Sequence, residues 1–305
     1  MAVRKLGFCE GMEAFLLYCK SKGLAERTVE TYALALNSLK AFLAQEGSPP
    51  PIPSPHQLRA FIVHMLDRGL SRTTISIRMR AIRAFLSFLV REGFIEKSPM
   101  ENVEIPKVPK QYPRVLTPEE IKRLVRACNS DTWTGIRNRA MVLTFLDTGI
   151  RLSELIALDL EDVDLQSRFI RIRRGKGAKE RHVFMGRHLF RALRKWVEVR
   201  GLSSPERAFF LGRNGERLDK RNVQRILERL ARRAGLDGVR VSPHVLRHTF
   251  ATMYIKNGGD PFSLQRILGH SDIKTTMIYV NLAGVALRAA HAKASPVDRL
   301  YSSKW

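Results

Sequence analysis

Apolar side chains recur at helical spacing through the first part of the chain. Val29, Tyr32, Leu36, Leu39 and Leu43 form one stripe. Leu58, Phe61, Ile62, Met65 and Leu66 form a second, and Ile75, Ile82, Phe85, Leu86 and Leu89 a third. A period near 3.6 residues puts each set on one side of a helix, and the segment reads as four helices. Ser71 suits the N-cap of the last of them. Its other face carries Arg72, Arg78, Arg80 and Arg83, with Thr73 and Thr74 alongside. A solvated face and a face that contacts phosphates both fit that pattern. The run from Pro49 to Pro55, with prolines also at 50, 51 and 53, is expected to be non-helical and to join two helical hairpins. A second break runs from Ile105 to Arg114, where Pro106, Pro109 and Pro113 lie among basic residues. The expected organisation is a helical domain at 1–105, a linker at 106–116 and a second domain at 117–305.

The pattern changes beyond the linker. Thr117-Pro118-Glu119-Glu120 reads as a capping box with proline at the first helical position. A helix is expected to end near Asp147-Thr148-Gly149. Phe169 to Arg173 alternates in part and predicts a strand, Gly175 to Lys179 is turn chemistry, and Glu180 to Met185 predicts the returning strand. From Asp219 to Ala234, Val223, Ile226, Leu227 and Leu230 lie on one face, with Arg221, Arg225, Arg229 and Arg232 outside. Such a helix is a candidate for lying in a nucleic-acid groove. The fold class is therefore mainly α with a small β hairpin in the second domain, and no internal repeat is evident.

Charge narrows the function. The 305 residues hold 53 Lys and Arg against 29 Asp and Glu, a formal net charge of +24. That excess points to a polyanionic partner, nucleic acid first, because phosphate neutralisation releases counterions. A basic ribosome-associated protein, or a merely soluble one, is the plainer alternative. Hydrophobic residues make up 44% of the chain, which suits packed domains rather than disorder. The three cysteines, Cys9, Cys19 and Cys128, form neither a CxxC nor a zinc-spaced cluster. Cys19 and Cys128 sit on apolar stripes and read as core residues in a reducing compartment. No apolar run is long enough to span a bilayer and no signal-peptide core is present, so a cytoplasmic protein is expected. No Walker A loop appears, and no acidic pair is arranged for two metals.

Three segments carry candidate chemistry. Ser242-Pro243-His244-Val245-Leu246-Arg247-His248 opens a helix, with Ser242 as N-cap and Pro243 behind it. His244 and Arg247 then share one face in the first turn, where the helix dipole favours an anion. Leu268-Gly269-His270 follows a short helix begun by Asp260-Pro261, and Gly269 suits a left-handed C-cap. Tyr279 comes nine residues after that histidine. In Asp147 to Glu154, Gly149 makes a tight turn that aims Arg151 inward, and Glu154 is placed to orient it. Each motif alone has an ordinary structural explanation: an amphipathic helix, a core tyrosine, a surface ion pair.

Together they resemble the tyrosine recombinases, the family of phage integrases and Xer recombinases. The shared pattern is Thr-Gly-x-Arg-x-x-Glu, a lysine at a hairpin tip, His-x-Leu-Arg-His, Leu-Gly-His, then the tyrosine. The likeness covers nearly the whole chain, because the four-helix domain resembles the family's core-binding domain. It implies that Arg151 and Arg247 grip the non-bridging oxygens of the scissile phosphate and that Lys176 protonates the departing 5′ oxygen. It also implies that His244 and His270 hydrogen-bond the phosphate, one of them helping to deprotonate Tyr279, which forms a 3′-phosphotyrosyl link. Glu154 is a supporting residue. DNA contacts are expected from Arg72, Thr73, Thr74, Arg78, Arg83, Arg221 and Arg225. The implied chemistry uses neither metal nor cofactor, since two arginines and a lysine supply the charge.

The implied partners are duplex recombination sites and other protomers, a tetramer in the synaptic complex, with a second recombinase or a DNA translocase as possible helpers. The expected location is the cytoplasm, in association with the nucleoid. Type IB topoisomerase-like relaxation and a catalytically silent DNA-binding protein are the alternatives. One departure stands out: Val280-Asn281 follows the tyrosine, where many relatives have a histidine at the second position. Leu282 to His291 reads as a short Ala-rich helix, which the resemblance docks on a neighbouring protomer; packing on its own chain is the alternative.

Overall fold

Local capping chemistry sets most element boundaries in the computed structural model, which describes residues 7–46, 50–109, 113–173, 180–201, 206–284, 291 and 295–301. The chain divides into two compact units, Met1–Gln111 and Tyr112–Trp305.

The first unit contains α1 (Phe8–Ser21), α2 (Glu26–Leu43), α3 (Pro55–Asp67) and α4 (Arg72–Arg91). On α4, Ile75, Met79, Ile82, Phe85, Leu86 and Leu89 are all buried, one continuous stripe against α2 and α1. Burial of side chains this large stabilises by roughly 1.5–3 kcal/mol each, which fixes the face that turns inward. Ser71 caps α4 by accepting from the Thr74 amide. Pro55 corrects the expectation that the whole proline run lies outside helix. It is the first residue of α3, with Ser54 as the cap. A first-turn residue has no amide partner to lose, so proline is tolerated there.

The second unit is helical around a small antiparallel sheet. Thr117 caps α5 (Pro118–Arg126) in the expected box with Glu120. Next come α6 (Trp133–Thr148) and α7 (Leu152–Ala157). Three strands follow in the order β1 (Val163–Asp164), β2 (Phe169–Ile172) and β3 (Arg181–Phe184). In the β2–β3 hairpin Ile172 pairs with Arg181. The two-residue β1 escapes a sequence reading because it is too short to alternate. Helices α8 (Arg187–Arg200), α9 (Lys220–Arg233), α10 (Pro243–Lys256), α11 (Pro261–Leu268) and α12 (Ile273–Ala283) follow, with a short helix at Pro296–Tyr301. α6 packs on α8 and α10, α10 packs on α12, and α11 touches β3. α12 also corrects the reading of the tail: Leu282 and Ala283 belong to the helix that carries Tyr279, and it stops at Gly284 with φ 58°. The rest of that expected tail helix, 285–290, falls outside the described residues.

Candidate active site

Two left-handed glycines shape the site. Gly149 ends α6 at φ 62°, and Gly269 ends α11 at φ 64°. A β-carbon at Gly149 would come within 2.3 Å of the Phe250 ring, so the turn excludes any other residue on two grounds. The carbonyls left over at these helix ends receive arginines. Arg247 is buried and donates through Nη1 to Gly149 O at 2.5 Å and through Nη2 to Leu268 O at 2.9 Å. Arg151 donates to Gly269 O at 3.4 Å. A guanidinium suits a helix C-terminus, where unpaired carbonyls and the dipole are both negative.

Glu154 joins the arginines. It caps the Arg151 amide at 2.8 Å and accepts from the Arg151 side chain at 3.0 Å. Arg181 pairs with it through both terminal nitrogens, at 3.0 and 2.8 Å, and donates through Nε to Ile267 O at 2.7 Å. Burial pushes the Glu154 carboxyl up, but the hydrogen bonds from Arg181 and Arg151 outweigh it and hold the group at about 2. This is no surface ion pair: the Glu154 and Arg181 side chains are each 10% exposed. Burial, then the charge of Arg151, lowers Arg247 to about 10.

The nucleophile candidate lies in the same cluster. Tyr279 is 3% exposed, and its hydroxyl makes a 2.8 Å hydrogen bond with His248 Nδ1. Its ring stacks on His270 at a centroid distance of 6.3 Å. Burial raises the phenol above its ordinary range while Arg247 and Arg151 pull the other way. Burial, with His244 and Arg247 nearby, lowers His248. His270 is lowered to about 4 by burial and by Arg247, Arg151 and Arg181, so the ring is neutral near pH 7. Its Nε2 accepts from Arg247 at 3.0 Å, because guanidinium has no acceptor; Nδ1 therefore carries the proton and donates to Thr276 at 3.0 Å. Both ring nitrogens are thus engaged within the protein.

The structure thereby brings together Arg151, Glu154, Arg247, His270 and Tyr279. His244 stands exposed at the first turn of α10, while Arg247 beside it turns inward. Lys176 lies outside the described residues. Two participants escaped the sequence reading. His248 sits inside the quoted motif, but its partner is 31 residues away. Arg181 carries no local signal; it is the first residue of β3 and pairs with Ile172 of β2. Of the expected DNA contacts, Arg72, Thr73, Arg221 and Arg225 are exposed. Arg78 donates to Ser38, Arg83 to Val103 O, and Thr74 shares a hydrogen bond with Ser71.

The sequence profile described as "Phage integrase family" matches residues 114–284, the whole span that carries this cluster. The chain belongs to that family. A second profile, "Phage integrase, N-terminal SAM-like domain", matches residues 12–93 of this tyrosine recombinase. Tyrosine recombinase XerC of Chlamydia caviae is 32% identical over 306 residues, covering 93% of the chain and 97% of the relative. The crystal structure of XerA recombinase is 30% identical at a TM-score of 0.54, covering 94% of this chain and 99% of that one. The XerH site-specific recombinase bound to a palindromic difH substrate shares the fold, with a TM-score of 0.73 at 24% identity over 94% of this chain and 85% of that one. The protein is a Xer-like, site-specific tyrosine recombinase. Among the described residues, no helix is long and apolar enough to cross a membrane.

Proposed function

We propose that Tyr279 carries the reaction by direct attack on the scissile phosphate. Its oxygen bonds to phosphorus, the bond to the 5′ oxygen breaks, and a 3′-phosphotyrosyl link keeps the phosphodiester energy for religation. The phenol proton passes to His248 Nδ1. Lys176 gives a proton to the departing 5′ oxygen. Arg151 and Arg247 hold the non-bridging oxygens through N–H donors on guanidiniums that stay charged. His244 adds a hydrogen bond from the first turn of α10. His270 keeps Arg247 aimed and supports the phosphate with it. Glu154 and Arg181 fix the orientation of Arg151. Charge stabilisation thus comes from the chain's own cations, and cleavage is expected to persist in EDTA.

The observation that carries this reading is Tyr279 itself, buried among Arg247, His248 and His270 with its hydroxyl already on an imidazole. In the proposed organisation residues 1–105 bind the core site, 106–116 link, and 117–305 catalyse. Arg72, Thr73, Arg221 and Arg225 meet the duplex, a tetramer forms the synapse, and a second recombinase or a DNA translocase is a candidate helper.

Nicked suicide substrates test the roles. Tyr279→Phe should bind DNA and form no covalent adduct. Lys176→Ala should cleave slowly, and sulfur in place of the bridging 5′ oxygen should restore its rate but not that of Tyr279→Phe. An adduct persisting in Tyr279→Phe moves the nucleophile elsewhere, with Tyr254 next to test. Failure of sulfur to rescue Lys176→Ala removes the lysine as acid.

A further inference from the structure

A second cluster of arginines lies apart from Tyr279. A cavity of about 450 Å³ opens between the first turn of α6, the 212–214 turn and α9. Four arginines line it: Arg137 from α6, Arg213 from the turn, and Arg229 and Arg233 from α9. Asn138 and Asn222 add amides, and no carboxylate lines the wall. The volume falls in the roughly 300–1,000 Å³ range of small-ligand sites.

Arg137 makes this more than a basic surface. It is 4% exposed, so its charge is out of water. Its partners are neutral: Nη1 donates to Leu211 O at 2.8 Å, and Nε and Nη2 both donate to Asn138 Oδ1, at 3.1 and 2.8 Å. Three of its five N–H donors are used in this way, and two remain. Burial, and then the like charges of Arg213 and Arg229, lower it to about 10. A buried cation is ordinarily matched by an anion of the protein. Arg181 follows that rule by meeting Glu154, whereas the buried Arg247 donates to helix-end carbonyls and the buried Arg200 to Ala208 O. Here the matching charge is missing from the cavity wall. Arg213, Arg229 and Arg233 point additional exposed guanidiniums at the same space. Thr134, in the first turn of α6, also lines it, so the positive end of that helix dipole faces inward.

We infer that this cavity is a binding site for linked phosphates, gripped by Arg137, Arg213, Arg229 and Arg233. One isolated phosphate leaves most of the volume and much of the charge unmatched, whereas two or three joined phosphates span the opposed walls. Successive phosphates of a DNA strand and the di- or triphosphate of a free nucleotide offer the same chemistry. The inference does not rest on what Tyr279 does.

Trp133 provides the reporter, because the Arg137 guanidinium lies 5.4 Å from its ring centroid. The full chain is titrated with inorganic tripolyphosphate while tryptophan emission is followed. The expected result is a saturable change that Arg151→Ala leaves intact. The double variant Arg213→Ala/Arg229→Ala removes two exposed side chains and should bind about tenfold more weakly or worse. The double lysine variant at the same positions should recover part of the loss, because charge returns without the bidentate fork. A short duplex then separates the sources: displacement of tripolyphosphate assigns the site to DNA backbone, and simultaneous binding assigns it to a free polyphosphate. A non-saturating titration, or equal affinity in the double alanine variant, overturns the site. Loss of the signal in Arg151→Ala also overturns it, by placing the anion in the active site.

Discussion

The two arginine clusters of the C-terminal unit differ in how their charge is answered. Around Glu154, each guanidinium meets a carboxylate or a helix-end carbonyl supplied by the chain. Around Arg137, four guanidiniums face a space with no carboxylate on its wall. The first arrangement fixes direction: acceptors in the protein hold each guanidinium in one orientation. The second holds Arg137 on neutral acceptors and leaves its charge unanswered by any carboxylate of the wall. Orientation matters for catalysis, where a small displacement costs rate; unanswered charge matters for capture.

Substitutions on each side test that contrast. The largest effect is expected for Arg247→Ala. Cleavage of a suicide substrate should fall by about 10²–10³ or more, as for loss of a preorganised donor. The protein should also lose stability, because the carbonyls of Gly149 and Leu268 are left unpaired at a cost of ~1–3 kcal/mol each. Normal cleavage by this variant would break the contrast on its catalytic side.

Glu154→Gln should come next. It keeps the shape but leaves Arg151 and Arg181 without a carboxylate, and removing one partner from a buried ion pair costs at most about 3–5 kcal/mol. The Glu154 carboxyl titrates at about 2 in the folded chain against an ordinary 4.5. Its contribution is therefore complete above pH 4.5 and is lost as pH falls towards 2, since the unfolded chain takes up the proton first. Unfolding midpoints of the two proteins should differ at neutral pH and converge over that acid range. A constant difference would mean that the carboxylate charge is not the source.

The smallest effect has the opposite sign. Arg213→Glu places a carboxylate in the unanswered cluster. Because the position is exposed, thermal unfolding should shift upward by only ~0.2–1 kcal/mol at low salt, and the gain should fade as salt rises. A destabilised variant would show that this cluster is already neutralised from elsewhere.

The sequence carried the parts of this picture that depend on near neighbours. Ser71, Thr117 and Ser242 cap the helices read for them, and Gly149 and Gly269 take the left-handed conformation. The pair Arg151 and Glu154 was visible because three residues separate them on a helical turn. What stayed hidden depends on distant pairings. Arg181 reaches Glu154 across 27 residues, and strand alternation alone does not say that its charge enters the site. His248 was passed over because Tyr279 approaches it from another helix. The Arg137 cavity needs three separate segments brought together, so no stretch of sequence announces it.

Arg247 also has a meaning for quality control. One side chain ties the end of α6 to the end of α11, across 98 and 21 residues of chain. The group proposed to grip the scissile phosphate is thus a strut of the fold, and the two duties fail together. A chain that is nicked, half-folded or thermally damaged near these helix ends is expected to lose the grip with the strut. For a protein that cuts DNA, such coupling acts as a fail-safe, because a copy that has lost the strut is disarmed.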